Sequence, residues 1–143
     1  MPTPELVSLH RYYIWANRMR TLFYAELKQQ DLNALDPVLV LAGDIGLLSS
    51  YWYGALYVVV EGYKELKLSD PAIDLLLQSD NVELLRRYRN GTFHFQRNYF
   101  DDRFNNFFAE RSTVEWVRTL NREFGRFFLE AHGFYQQESG TGP

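Results

Sequence analysis

The chain has 143 residues, 46% hydrophobic and 17% aromatic, which suits one packed domain and excludes a disordered chain. A formal net charge of −3 and a pI near 5.6 exclude a general nucleic-acid coat and leave room only for a local basic site. The absence of cysteine excludes disulfides, thiolate metal sites and cysteine nucleophiles, and fits a reducing, cytoplasmic setting.

The N-terminal stretch "MPTPELVSLHRYY" has no basic region followed by an apolar run, so no signal peptide is expected. Thr3-Pro4-Glu5 offers a cap, a proline at the first helical position and an acid in the first turn, predicting a helix over 4–29. Its apolar stripe is Leu6, Leu9, Tyr13, Ala16, Phe23 and Leu27, and from Tyr12 to Trp15 it is apolar nearly all round. A second helix is predicted over 44–67, preceded by Pro37. Residues 45–60, "IGLLSSYWYGALYVVV", are uncharged yet fall short of the roughly 20 apolar residues that span a bilayer. Extension toward Pro37 takes in Asp44, which is costly in lipid. No membrane association is expected; a helix apolar on most faces belongs at the centre of a bundle or in a dimer interface. Gly43, Gly46, Gly54 and Gly62 weaken it by up to about 1 kcal/mol each where they fall in its interior, and such glycines mark close helix–helix approach.

Asp70-Pro71 repeats the cap-then-proline signal and opens a helix over 71–78. Asp80 followed by Glu83 opens another over 81–90, and a short one is placed near 103–109. Ser112-Thr113-Val114-Glu115 reads as a capping box for a last helix over 112–136. Its stripe runs through Val114, Val117, Leu120, Phe124, Phe127 or Phe128, Ala131 and Phe134. Residues 139–143 form a frayed tail. Only "TFHFQ" alternates with period two, too briefly for a sheet. The expected fold is all-α, an up-and-down bundle of four to five main helices in one domain over 1–138.

Residues 84–98, "LLRRYRNGTFHFQRN", hold Arg86, Arg87, Arg89, Arg97 and His94 with no carboxylate among them. A solvated helix face mixes signs, so the run requires either an anionic partner or acids from elsewhere, such as Asp101, Asp102 or Glu110. His94 between Phe93 and Phe95 also fits a hydrogen-bonded core histidine, and both phenylalanines are expected in the core. With twelve arginines, chance supplies roughly 0.25 Arg-then-His pairs at this spacing; requiring Asn after the Arg lowers that to about 0.01. On an unbroken helix Arg89 and His94 stand roughly 140° apart. They converge only if the helix breaks at Asn90-Gly91, or if a second copy supplies the partner group. His10 and His132 lack a partner at metal-ligand spacing and are assigned to packing or surface. Asp101-Asp102-Arg103 reads as a helix cap. There is no glycine-rich phosphate loop and no nucleophile elbow.

The stretch "RNGTFH" at 89–94 resembles the signature of the HEPN superfamily, in which an Arg, often followed by Asn or another polar residue, precedes a His by four to six residues. Beyond the motif the resemblance extends only to size and helical layout. It implies a helical homodimer with an active site composed from two protomers, cleaving RNA without metal or other cofactor, in a toxin, antiphage or stress setting with a possible antitoxin partner. It equally admits members that have lost activity and serve as binding or dimerisation modules. Gln96 stands where some HEPN toxins have a modified tyrosine, so that regulation is not implied.

The residue types suit such chemistry on physical grounds. Histidine titrates near neutrality and can take and return a proton, which makes His94 the expected general base or acid. The guanidinium of Arg89 matches a phosphoryl group as charge develops on it, and Asn90 can orient either partner. Arg86, Arg87 and Arg97 are expected to contact phosphates of the RNA, and Tyr88, Phe93 and Phe95 offer stacking surfaces.

Overall fold

The computed structural model describes residues 2–30, 36, 40, 42–98 and 111–133. Among these there is no strand, and five helices follow one another: α1 (Pro4–Gln29), α2 (Asp44–Glu65), α3 (Pro71–Leu76), α4 (Asn81–Phe93) and α5 (Arg111–Ala131). The expected all-α bundle is the observed architecture. The short helix placed near 103–109 and the tail at 139–143 lie outside the described residues.

The caps explain several boundaries. The Thr3 hydroxyl accepts from the Leu6 amide at 3.2 Å and Pro4 takes the first helical position of α1. Asp70 caps α3 by accepting from the amides of Ala72 and Ile73 at 3.0 and 3.1 Å. Burial alone would raise the Asp70 carboxyl; Arg126 and the helix amides outweigh it and hold the group below its ordinary value. The expected capping box at Ser112 is corrected: Ser112 already lies inside α5, which includes Arg111. Thr113 instead turns inward and donates to Asn81 Oδ1 at 3.0 Å, tying α5 to the start of α4.

α2 is the axis of the bundle. Trp52, Tyr53, Leu56, Val59, Val60 and Tyr63 are all buried along it, each aliphatic among them contributing ~1.5–3 kcal/mol by leaving water. α1 runs antiparallel along one side, with Phe23 and Tyr24 against Trp52 at one end and Leu9 against Gly62 at the other. A Cβ on Gly62 would overlap the Leu9 side chain, and one on Gly54 would lie 2.5 Å from the Phe93 ring, so these two glycines do allow close approach. α4 covers another side through Leu85 and Tyr88. α5 closes the bundle with Val117, Leu120, Phe124 and Phe128, the stripe expected from its period. Two members of that stripe differ: Val114 is half-buried and Ala131 exposed, because the register drifts past the ends of the shared core.

The exposed aromatics on α1, Tyr12 and Trp15, lie beneath the guanidinium of Arg11. His10 stacks on Phe128 with ring centroids 4.9 Å apart and on His132 at 4.6 Å, so both histidines pack between α1 and the end of α5. Burial, then the neighbouring His132 imidazole, lowers the pKa of His10. No helix among the described residues is long and apolar enough to cross a membrane.

One buried polar chain joins three helices. Trp52 Nε1 donates to Asn121 Oδ1 at 3.1 Å, and Asn121 Nδ2 donates to Asn17 Oδ1 at 3.1 Å. Asn121 is 3% exposed, so its loss strands the indole N–H away from water. Asn121→Ala is therefore expected to cost about 2–3 kcal/mol and lower Tm by roughly 4–12 °C in thermal unfolding. An unchanged Tm would show that the chain of amides contributes nothing to the packing of α1, α2 and α5.

Candidate functional site

The sequence motif occupies the last turn of α4 and the residue that caps it. The expected break at Asn90-Gly91 does not occur: α4 continues through both to Phe93, and His94 takes an extended C-cap conformation. Packing explains the difference. Leu85, Tyr88 and Gly91 are all buried against the bundle, and the Thr92 hydroxyl donates to the Tyr88 carbonyl at 3.0 Å. Together these outweigh the ~1 kcal/mol that a glycine costs inside a helix.

An unbroken helix sends Arg89 and His94 to different places. The Arg89 guanidinium lies over the Tyr57 ring at 4.8 Å and pairs with Glu61 Oε1 at 2.8 Å, both on α2. Its Nε donates to Asn90 Oδ1 at 3.0 Å. Among the described residues two of the five guanidinium N–H donors are thus engaged, and three remain for an oxyanion. Burial, then Glu61, raises the pKa of the Tyr57 phenol against the opposing effect of Arg89 and Arg86.

His94 is exposed and lines an open groove of about 410 Å³ with Ser50, Tyr51, Gly46 and Gly91; Arg89 does not line it. Six residues of α2, or about 9 Å, separate Tyr57 from Tyr51. Asn90 links the two halves of the motif: its side chain accepts from Arg89, and its carbonyl accepts from the His94 amide at 3.0 Å. Gln96 Nε2 fixes the next turn by donating to the His94 carbonyl at 2.7 Å. The His94 ring itself makes no hydrogen bond among the described residues, so it is not the buried core histidine that its flanking phenylalanines allowed.

Those phenylalanines correct a second expectation. Phe93 is 51% exposed and Phe95 91% exposed, rather than core. Phe93 leans edge-on against Tyr51 at 5.7 Å and over Gly54, where the missing side chain leaves it room. With Leu47 and Tyr51, also exposed, they make an apolar rim around His94.

The remaining arginines divide. Arg86 is exposed and bound to Glu83 one turn earlier, through Nε at 2.9 Å and through Nη2. Arg87 is half-buried and Arg97 exposed beyond the helix. The acids that balance this run are Glu83 and Glu61; Asp101, Asp102 and Glu110 lie outside the described residues. Tyr57, Glu61, Ser50 and Tyr51 were missed from the sequence. The i, i+4 spacing of Tyr57 and Glu61 puts them on one face of α2, but nothing in the chain ties that face to Arg89.

No three His, Asp or Glu side chains among the described residues gather where they could hold a metal ion. No family model, no curated protein and no solved structure matches this chain.

The two motif side chains differ in what they do for the fold. Arg89→Ala removes a partly exposed ion pair and a cation–π contact, and is expected to lower Tm by roughly 2–6 °C, or about 1–2 kcal/mol. His94→Ala is expected to stay within about 2 °C of the parent, as surface changes do. Equal destabilisation by both would mean that the imidazole is part of the packing.

Proposed function

We propose that this chain is a metal-independent endoribonuclease of the HEPN type, working as a homodimer whose active site combines Arg89 and His94 from two copies. The observation that carries the reading is the state of His94: an exposed imidazole at the end of a helix, beside an open groove, with its backbone fixed on both sides by Asn90 and Gln96. A dyad placing two α4 ends face to face would bring each His94 toward the other copy's Arg89. The rim of Leu47, Tyr51, Phe93 and Phe95 gives such a contact an apolar surface to bury.

The chemistry follows from the groups present. His94 takes the proton of a ribose 2′-hydroxyl, and the 2′-oxygen attacks the adjacent phosphorus. The three free N–H donors of Arg89 stabilise the negative charge that gathers on the phosphoryl oxygens. The P–O5′ bond breaks, leaving a 2′,3′-cyclic phosphate, and the departing 5′-oxygen receives a proton from a histidine imidazolium. Arg86, Arg87 and Arg97 line the approach and contact flanking phosphates, with Glu83 as the competitor that Arg86 must leave. A toxin, antiphage or stress role, and an antitoxin that covers the site, belong to the same reading.

A second reading is favoured by one observation. Glu61 and Tyr57 already hold the Arg89 guanidinium, as they would in a silent HEPN-like module that only binds or dimerises. Cleavage of single-stranded RNA in EDTA separates the two. The nuclease reading expects cyclic-phosphate ends from wild type and a loss of about 100-fold or more for His94→Ala and for Arg89→Ala. Undiminished cleavage by His94→Ala overturns it, and a folded wild type that cuts nothing supports the silent module.

A further inference from the structure

A second segregation of charge lies away from the motif. Between α1 and α5, on the side of α2 that α1 covers, runs an open groove of about 880 Å³. Five of the fifteen lysines and arginines of the chain line it, Arg20, Lys28, Arg118, Arg122 and Arg126, and no carboxylate among the described residues does. Arg126 is neutralised by Asp70, Glu123 and Glu130 at 2.8, 2.6 and 2.8 Å. The other four have no acidic partner among the described residues. In a chain of net charge −3, four uncompensated cations facing one cleft hold each other at a cost that an anion would relieve.

The floor of the groove is built to donate. The chain from Trp52 through Asn121 fixes the side chain of Asn17, whose Oδ1 accepts from both Asn121 and, at 2.9 Å, Arg20 Nε. This leaves the Asn17 amide N–H groups without an acceptor among the described residues, with Arg20 beside them in the lining of the cleft. Gly125 lets the Tyr13 hydroxyl approach α5; a Cβ there would sit 2.5 Å from its oxygen. Arg118 is held over the Tyr24 ring at 5.6 Å. The groove therefore presents a row of donors and positive charges, among which Arg20 is held by Asn17 and Arg118 by Tyr24.

The shape selects the ligand. Along α1 the lining runs from Tyr13 to Lys28, about 22 Å, and on α5 successive cations stand one helical turn, roughly 6 Å, apart. A compact phosphate ligand needs its charges gathered at one point, whereas a strand needs them spaced along a path. We infer that this groove binds the phosphate backbone of a single nucleic-acid strand, without regard to sequence. It uses neither Arg89 nor His94; if the chain cleaves RNA, it is where substrate strand beyond the cut site is held.

The test is fluorescence anisotropy of the full chain with 2′-O-methyl 12-mers of U and of A, which have no internal 2′-hydroxyl to attack and so report binding whether or not the protein is a nuclease. Wild type is expected to bind both alike, with log K falling against log salt concentration at about −0.7 for each phosphate neutralised, near −2 to −3 in all. Arg118→Ala/Arg122→Ala is expected to weaken binding about 10-fold or more at 50 mM salt and to make the slope shallower by about 1.4. Arg11→Ala, outside the groove, should bind as wild type does. The inference is overturned if wild type shows no salt-dependent binding, if the double variant binds as wild type does, or if ATP binds more tightly than either oligonucleotide.

Discussion

The structure depends on covering α2. Its buried face runs almost all the way round, from Trp52 and Tyr53 through Val59 and Val60 to Tyr63, so no single neighbour can bury it. α1, α4 and α5 each take a part, and the glycines at 54 and 62 set how near their neighbours come. Among the buried polar groups on this axis, the Trp52 indole N–H is met across the bundle by Asn121, which is in turn held by Asn17. A hydrophobic core of this kind tolerates many substitutions, but a hydrogen-bond chain through it fixes which faces of α1 and α5 meet. The same chain places donors on the floor of the basic groove, so stability and surface chemistry share residues there.

That packing also sets the geometry of the motif. Because Tyr88 and Gly91 are buried against the bundle, α4 cannot break at Asn90-Gly91 without exposing them. The helix stays whole, Arg89 turns to Tyr57 and Glu61, and His94 emerges at the other end of the turn. A site needing both groups at one phosphate is incomplete in a single chain. In the proposed nuclease, dimerisation through the apolar rim supplies the missing group and draws Arg89 from an ion pair whose exposed carboxylate holds it only weakly.

Much of this was legible in the residues. The first helix begins and ends as its cap and period predict, because Thr3-Pro4 and the Leu9–Tyr13–Ala16–Phe23 spacing are local facts. The stripe of α5 was legible for the same reason. Misreadings arose where a tertiary contact overrode a local preference: Asn90-Gly91 is a strong stop signal, yet burial of Gly91 carries the helix past it. Phe93 and Phe95 looked like core by type, but at the end of α4 no element remains to cover them. The partners of Arg89 were out of reach because Glu61 and Tyr57 lie on another helix, and the basic groove because Asn17 and Asn121 meet only after folding.

In the proposed nuclease the arginine and the histidine of each active site come from different copies. Mixing the Arg89→Ala and His94→Ala variants tests this, once subunit exchange between the two has been verified by mass. In a composite site each heterodimer regains one intact site of two, so an equimolar mixture of the two inactive variants should recover about a quarter of wild-type cleavage. Heterodimers that form and yet cut no RNA, beside a wild type that does, would contradict the account.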